Sequence, residues 1–393
     1  MTAPSLGQTG AVSATTWVPL AGAAHRIAVE VLLHGPLSRA ELARRVDLSA
    51  GSLTRLTKPL VDHGLLVATE VAPTGSRLGR PSQPLDVVAA AHHFVGVKLT
   101  GDHAHGVLAT LRAEVVATAG RPLTDHAPDA VADVVAEVVA ELVGTGGRPV
   151  TAVGVSLGGD VARATDVVRA PFLHWHDAPV PLGGLVHERT GLPVVVANDV
   201  TALTASTHWF GEGRGAPTFA LVTVGAGVGF GLVAHDRLVA GDGTGTGRIG
   251  HHPLSATGPV CDRGHRGCAT SLLTIGSLTA QVSVAHRREV SYDEVLDLAQ
   301  AGDPAAHRVV DDAGVGLGRL VTAAAGFTSA PLVVLGGEGV RLAEVARDAV
   351  ARGMAVDRDP AAVPPRLALQ SPSFTQWARG AAVIAIRTFV LGA

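Results

Sequence analysis

Polar side chains that suit contacts with nucleic acid occur at short intervals along one predicted helix near the N-terminus. They are Ser49, Ser52, Thr54, Arg55 and Lys58. Hydroxyl groups and a guanidinium near the N-terminal end of a helix can reach base edges and phosphates in the major groove of DNA. The spacing therefore predicts that this helix reads a DNA sequence.

Two further arginines, Arg77 and Arg80, lie in a Gly- and Pro-rich stretch about twenty residues later. Residues 64–88 alternate apolar and polar around this stretch, which predicts a β-hairpin. An arginine at the tip of such a hairpin can enter a narrow minor groove. The pattern predicts a wing beside the helix.

Three helices are expected to position these side chains. The first covers residues 23–33 and ends at Gly35-Pro36. Ser38 and Glu41 have the spacing of a capping box and predict the start of the second, and the third begins near Ser49.

The second and third helices have the pattern of a helix-turn-helix. Ala43 is a small residue at their closest contact, and Asp47 lies in the turn, where Asp tolerates left-handed backbone better than most residues. The apolar residues that face each other are Leu42, Val46, Leu48, Leu53 and Leu56. Pro59 lies inside the third helix, so we expect that helix to stop or kink there. The alternative is a small helical docking module without a role in DNA binding.

Charge and composition agree with a two-part chain. Residues 20–85 carry eight Arg and Lys against five acidic residues, a net charge of +3, which leaves −6 for the rest of a 393-residue chain whose net charge is −3. A basic head on an acidic body suits one domain that meets phosphates and another that does not. The chain has two cysteines, no apolar run long enough to span a bilayer and no secretory signal pattern, so we expect a cytoplasmic protein without disulfides.

After Phe94 the chain alternates between predicted strands and helices. Strands are expected at 94–99, near 107–116, at 150–155 and from Pro193, with a helix at 128–143, a hairpin formed by 220–224 and 229–233, and a late buried strand at 332–335. This alternation predicts an α/β domain with two lobes around a cleft.

Several motifs in this order resemble the ROK family of repressors and sugar kinases. They are Leu-Ser-Arg-Ala-Glu-Leu-Ala at 37–43, Gly-Arg-Pro at 79–81, Val-Gly-Val-Ser at 153–156, Pro-Val-Val-Val-Ala-Asn-Asp at 193–199, Gly-Ala-Gly-Val-Gly at 225–229, Gly-Arg-Ile-Gly-His at 247–251, Cys…Gly-His-Arg-Gly-Cys at 261–268 and Val-Leu-Gly-Gly at 334–337. The resemblance implies an N-terminal winged helix-turn-helix followed by a two-lobed, actin-like ATPase/sugar-kinase fold. It places a flexible arm at 1–19, the DNA-binding domain at 20–88 and the kinase-like effector and oligomerisation domain at 89–393.

The resemblance also implies that the kinase machinery is degenerate. The family's first phosphate loop begins with an Asp, and Lys98 occupies that position here. The second loop, Gly225–Gly229, is kept, although such a turn is also an ordinary hairpin. Asn198 and Asp199 match the sugar-binding Asn and the catalytic base of the kinases, while the helix that follows them offers Asp199 a simple capping role. We expect no catalytic residue, Asp199 being a vestige, and no nucleotide cofactor.

The predicted effector site consists of positions that match the family's sugar-binding site and its first phosphate loop. They are Lys98, Asn198, Asp199, Arg248 and His251. Arg248 and Thr270 stand where sugar-binding members have glutamates, so the cleft has gained positive charge. Two alternatives remain: the cations pair internally, Lys98 with Asp102 or Asp199, or they bind an anion such as a sugar phosphate or sugar acid.

The family's zinc site is only partly kept. The resemblance implies one His and three Cys; His251, Cys261 and Cys268 match, but Arg263 occupies the position of the third Cys. Structural zinc is held by four ligands. The expectation favoured by the sequence is a loop that has lost its metal. In the alternative, His265 or His252 supplies the fourth ligand.

These inferences predict a transcriptional regulator, a repressor in type, that binds double-stranded operator DNA as a homodimer or tetramer and senses a carbohydrate-related or anionic small molecule. One alternative is an active sugar kinase with an added DNA-binding head. Another is a regulator whose body only dimerises and binds no ligand.

Overall fold

The computed structural model describes residues 20–69, 83–145, 149–239 and 249–392. The N-terminal head contains three helices and a two-stranded antiparallel sheet in which Leu66 pairs with Val87. Its elements are α1 (Gly22–His34), α2 (Arg39–Arg45), α3 (Ala50–Asp62), β1 (Leu66–Ala68) and β2 (Leu85–Val87). Together they form a helix-turn-helix with the two strands of a wing.

Local sequence signals determine how the helices of the head begin and turn. The Ser38 hydroxyl accepts a hydrogen bond from the Glu41 amide at 3.1 Å, and the Ser49 hydroxyl accepts one from the Ser52 amide at 3.2 Å, so each serine caps its helix. Asp47 has φ +53°, the left-handed conformation predicted for the turn.

The helix does not stop at Pro59, one of the two outcomes expected there, because α3 runs to Asp62. Pro59 lacks the N–H that would bond to the Arg55 carbonyl, but both residues are exposed and water can hydrate that oxygen. The His63 amide still donates to the Pro59 carbonyl at 3.0 Å, which closes the last turn.

The body has two lobes, each with a five-stranded sheet. The first lobe is ordered β5-β4-β3-β6-β9 and the second β12-β11-β10-β13-β14. The strands of the first lobe are β3 (His93–Leu99), β4 (His103–Thr110), β5 (Val115–Pro122), β6 (Val150–Leu157) and β9 (Val194–Asn198), with a small ribbon of β7 (Asp160–Ala162) and β8 (Asp166–Arg169). Those of the second are β10 (Phe219–Val224), β11 (Val228–Ala234), β12 (Arg237–Val239), β13 (Leu332–Gly336) and β14 (Arg366–Leu369).

Both sheets repeat one topology: three antiparallel strands followed by two parallel ones. The sequence shows no short repeat, so this duplication is visible only in the structure. The single strand predicted near 107–116 is wrong, since β4 and β5 are separate strands. Ala113, with φ +55°, forms the turn between them.

Helices cover both sheets. They are α4 (Pro128–Gly144), α5 (Leu182–Thr190) and α6 (Asp199–Phe210) in the first lobe, and α7 (Ala269–Leu273), α8 (Ile275–His286), α9 (Tyr292–Gln300), α10 (Pro304–Thr328), α11 (Arg341–Val345) and α12 (Arg347–Val356) in the second. The last helix, α13 (Phe374–Ile386), returns to the first lobe, where it packs on β3 and β6. No helix among the residues placed by the structure has the length and apolar character needed to cross a membrane.

The head is joined to the body by a shared core and by polar contacts. Ile27 of α1 belongs to the same apolar cluster as Trp209 and Ile386 of the body. Arg112 pairs with Asp86 at 2.5 Å and also donates to the carbonyl of Gly35. These contacts hold the end of α1 and strand β2 against the first lobe.

Candidate functional site

The predicted DNA-reading helix presents its polar side chains on the outside of the head. Ser49, Thr54, Arg55 and Lys58 are exposed, whereas Leu53 and Leu60 on the opposite face are buried. Arg55 makes no hydrogen bond or ion pair within the described ranges, so its guanidinium is available to a partner. Lys58 is 2.8 Å from Asp62, an exposed i,i+4 pair that costs little to break.

The two serines have structural roles in addition to the predicted one. Ser49 caps α3, and its hydroxyl also lies 3.1 Å from that of Ser52. The Thr54 hydroxyl donates to the Ala50 carbonyl at 2.9 Å. Arg77 and Arg80 lie in 70–82, outside the described residues, so their predicted contacts with DNA stay predictions. Arg44 on α2 is a further exposed arginine that the sequence did not single out.

A cleft of about 310 Å³ lies between the two lobes and contains three of the five residues predicted for the effector site. Lys98, at the carboxyl end of β3, and Asn198 and Asp199, at the end of β9, line it together with Gly225 of the second predicted phosphate loop. Ligands of open α/β folds bind at the carboxyl ends of parallel strands, and β3, β6 and β9 are parallel here. The topology thus brings Lys98, Asn198 and Asp199 together in one place.

Lys98 is buried and already paired. Its ammonium donates to Oδ2 of Asp199 and lies 5.1 Å from the centre of the Trp377 ring. The exposed fractions of the two paired side chains are 6% and 13%. Of the two internal partners considered from the sequence, Asp199 is the one found, while Asp102 accepts a hydrogen bond from the Thr100 hydroxyl instead.

Asn198, rather than Asp199, is the N-cap of α6. Its side-chain oxygen accepts from the Thr201 amide at 3.1 Å, and its nitrogen donates to the Gly159 carbonyl at 3.0 Å. The second oxygen of Asp199 accepts from the Val200 amide at 2.8 Å. Both oxygens of the carboxylate expected at a kinase base are therefore engaged with the protein.

Glu338 is a cleft residue that sequence analysis missed. It follows β13 and lies against the second loop: a Cβ added to Gly225 would be 2.0 Å from Oε2 of Glu338. Burial raises the pKa of this carboxyl, and the nearby Lys98 ammonium partly opposes the rise. A carboxyl group thus lies beside the loop that would cradle phosphate in a kinase. Its position just after the predicted buried strand at 332–335 was the sequence feature that could have placed it at the cleft.

Phe172 and Trp377 also line the cleft without having been predicted. Phe172 is 51% exposed although it is a large apolar side chain, and it lies next to Gly101 and Gly158 at the mouth. Trp377 is brought there by α13, which comes from the far end of the chain. Arg248 lies in 240–248, outside the described residues.

His251 belongs to a second cluster and does not line the cleft as formed by the described residues. Its Nδ1 lies 3.7 Å from Sγ of Cys261 and 3.8 Å from Sγ of Cys268. Nδ1 of His265 lies 3.6 Å from Sγ of Cys261. His252, the other histidine considered, packs its ring against Phe327.

The donor atoms of His251, Cys261 and His265 lie within 4.8 Å of one another, so these three side chains could hold a metal ion, whereas Cys268 contacts the cluster only through His251 Nδ1. Zn–S bonds of about 2.3 Å and Zn–N bonds of about 2.0–2.1 Å place S and N roughly 3.6 Å apart across a tetrahedron. The observed separations of 3.6–3.8 Å match this edge. Arg263, in place of the third Cys, is exposed and lies 3.9 Å from Asp262, so it takes no part in the cluster.

Comparison with known proteins supports the architecture along most of the chain. The ROK family profile matches residues 94–387, about three quarters of the sequence. Over 344 residues the chain is 24% identical to the DNA-binding transcriptional repressor Mlc of Escherichia coli, a match that covers 83% of this chain and 82% of that protein.

Two solved structures have the same fold. One is a ROK family transcriptional regulator, a homologue of the Escherichia coli Mlc protein; it matches with a TM-score of 0.80 at 24% identity and covers 94% of this chain and 96% of its own. The other is a ROK family glucokinase from Streptomyces griseus in complex with glucose and AMPPNP. Its TM-score is 0.64 at 21% identity, over 74% of this chain and 98% of that one. The first match is long enough to include the head. The second covers a share of this chain about equal to the body alone. The chain is a member of the ROK family, with a winged helix-turn-helix in front of its two-lobed, sugar-kinase-like body.

Proposed function

We propose that this protein is a transcriptional regulator that binds operator DNA through α3 and its wing. The observation that carries the proposal is the arrangement of α3: an exposed face with an unpartnered Arg55 on a helix-turn-helix that is packed firmly on the body. The match over most of its length to a protein named as a DNA-binding repressor supports the same function. Repression, the expected direction of regulation, follows from that likeness.

Replacing Arg55 with alanine should weaken specific DNA binding by about 1–3 kcal/mol, roughly 5- to 150-fold, and relax the preference at the base it contacts. The test first selects a preferred site from a randomised duplex library with the parent protein, then measures the affinity of each variant for that site at fixed salt. Lys58→Ala should instead weaken binding to all duplexes to a similar extent and reduce the salt dependence of that binding, because a lysine contributes by contacting phosphate.

Arg308→Ala is the matched control for Arg55→Ala, because Arg308 is also an exposed helical arginine without a partner in the described part of the chain. It should bind like the parent. Arg80→Ala should lose affinity mainly at A·T-rich flanks. Unchanged binding and site preference in Arg55→Ala would show that α3 does not read the bases.

We infer that the body is a non-catalytic sensor rather than a sugar kinase. A kinase needs a carboxylate free to accept the proton of the attacking hydroxyl, whereas both oxygens of Asp199 are engaged and Lys98 fills the position of the loop Asp. The Glu338 carboxyl occupies the space beside the loop where phosphates would bind.

The ligand class that suits the cleft is a neutral, hydroxyl-rich molecule such as a sugar. Lys98 is neutralised by Asp199, and Arg169, the other cleft cation among the described residues, lies 3.2 Å from Asp160. Neither needs an anion, so the internal-pairing alternative is the better supported one for Lys98. A sugar phosphate or sugar acid would depend on Arg248. Self-association through the body into a homodimer or tetramer completes the proposal.

One panel of sugars tests both inferences. Neutral sugars, sugar phosphates and sugar acids are screened by thermal shift, where a ligand at 100 times its Kd adds about 2.7 kcal/mol of stability. The neutral sugars are then offered with Mg-ATP in a coupled assay beside an active ROK glucokinase. We expect stabilisation by a neutral sugar and no turnover above background. Stabilisation by acidic ligands alone would contradict the neutral-ligand proposal, and turnover would contradict the non-catalytic one.

A further inference from the structure

A cavity of about 360 Å³ lies where the end of α1 meets the first lobe of the body. Three arginines of the body line it: Arg112 after β4, Arg214 after α6 and Arg379 on α13. We propose that these three guanidiniums form a binding site for a small oxyanion, a phosphate or a phosphate monoester, that bridges the head and the body. This junction cavity shares no lining residue with the cleft, and the inference does not depend on the proposed function.

The positive charge of the junction cavity is only partly neutralised by the protein. Arg112 is paired with Asp86 at 2.5 Å. Neither Arg214 nor Arg379 has a carboxylate at ion-pair distance within the ranges that the structure describes. Glu114 is the one carboxylate among the described lining residues, and it is exposed. Two of the three guanidiniums are therefore without a counter-ion in contact.

Arg379 is the most enclosed of the unpaired cations. It is half-buried, and its three hydrogen bonds, of 2.8–3.3 Å, go to neutral oxygens: two backbone carbonyls and the side-chain oxygen of Gln376. Burial lowers the pKa of Arg379, and Glu212 and Glu114 oppose that change only in part. Neutral acceptors satisfy N–H groups but do not neutralise a charge, so an anion in the cavity would stabilise this group.

The guanidiniums also keep N–H groups for a ligand. Each guanidinium has five, of which Arg379 uses three. Arg214 donates through Nη2 to the Leu33 carbonyl, and Arg112 donates through Nη2 to the Asp86 carboxylate and the Gly35 carbonyl. The other N–H groups have no protein acceptor in the described part of the chain. Several forked donors around one cavity suit the several oxygens of a phosphate.

The shape of the junction cavity favours a small molecule over the backbone of DNA. Its volume falls in the range of roughly 300–1,000 Å³ that is typical of small-ligand pockets, and Leu32, Leu33 and Phe210 form an apolar part of its lining. A duplex carries its phosphates on the outside of a wide rod, which cannot enter a recess between two parts of one chain. Because α1 and the body both line the cavity, a bound anion would contact both.

The test measures binding of radiolabelled inorganic phosphate to the full-length protein by equilibrium dialysis at an ionic strength of about 0.15 M. We expect saturable binding to the parent. Arg214→Gln should bind phosphate about tenfold or more weakly, since a charge-assisted hydrogen bond is lost from an exposed side chain. Arg308→Gln makes the same charge change on an exposed helical arginine outside the cavity, and its affinity should stay within about twofold of the parent.

Glu114→Gln should change the affinity in the opposite direction. It removes the carboxylate that repels an anion in the cavity, so phosphate should bind about two- to fivefold more tightly. Damage to the fold does not tighten binding, so this result separates a binding site from a structural effect. Glycerol 3-phosphate then competes with the labelled phosphate. Displacement at a lower concentration than unlabelled phosphate identifies a monoester as the preferred ligand, and displacement at a higher one identifies the free ion.

Three results would overturn the site: no saturable phosphate binding to the parent, equal affinities in Arg214→Gln and Arg308→Gln, or no tightening in Glu114→Gln. Affinity for a random DNA duplex is measured on the same variants. Weaker DNA binding with a smaller salt dependence in Arg214→Gln alone would assign the arginine to DNA and contradict the proposal. Thermal stabilisation by an anion that Arg214→Gln abolishes belongs to the junction cavity, so it leaves the neutral-ligand proposal for the cleft intact.

Discussion

Lys98→Met is expected to destabilise the folded protein by about 3–5 kcal/mol, the cost of breaking a buried ion pair by removing one partner. Methionine keeps the length and the contact with Trp377 but leaves the Asp199 carboxylate, whose side chain is 13% exposed, without its cation. The hydrogen bond from the Val200 amide remains and compensates only in part. Thermal and urea unfolding of the full chain at neutral pH measure the effect.

The double variant Lys98→Met/Asp199→Asn is the control for this result. It replaces both charges with neutral groups of similar volume, so most of the lost stability should return. If the single and double variants are equally unstable, the cost comes from packing in the cleft and not from an unpaired charge. If Lys98→Met is as stable as the parent, the ion pair contributes little to the stability of the folded protein.

Local features of the head could be predicted from the sequence because they depend on near neighbours. The cap at Ser38, the left-handed turn at Asp47 and the buried positions of Leu42 and Leu53 all follow from residues within a few positions of one another. Whether α3 would stop at Pro59 could not be predicted from the sequence. The cost of the missing hydrogen bond depends on whether water reaches the Arg55 carbonyl, and exposure is a property of the fold.

The sequence predicted several residues of the cleft but not how their side chains pair with one another. Lys98 and Asp199 are 101 residues apart in the sequence. They meet because β3, β6 and β9 lie side by side in parallel. In their register Lys98 pairs with Ser156, and the next residue of β6, Leu157, pairs with Asn198. Glu338 and Trp377 reach the same space from another sheet and from the last helix. A single sequence carries no local signal for such long-range contacts.

Gly96→Ala is expected to destabilise the protein toward the upper end of the roughly 1–3 kcal/mol typical of overpacking. Gly96 on β3 and its cross-strand neighbour Gly154 on β6 lie beneath α13. A Cβ at Gly96 would be 2.0 Å from the carbonyl oxygen of Ala378 and 2.5 Å from the amide nitrogen of Ala382. These are backbone atoms, which cannot rotate away, so the whole helix must move.

Gly120→Ala is the matched control, since Gly120 lies in β5 of the same sheet and its added Cβ would meet nothing closer than the Ala104 carbonyl at 3.6 Å. That variant should be neutral or more stable by up to about 1 kcal/mol, because alanine restricts the unfolded chain. Both variants are compared with the parent by thermal unfolding. Moving α13 also moves Trp377 away from Lys98, so Gly96→Ala should weaken any stabilisation by a cleft ligand as well. Equal stability of the two variants would show that the packing of α13 does not require a residue without a side chain at Gly96.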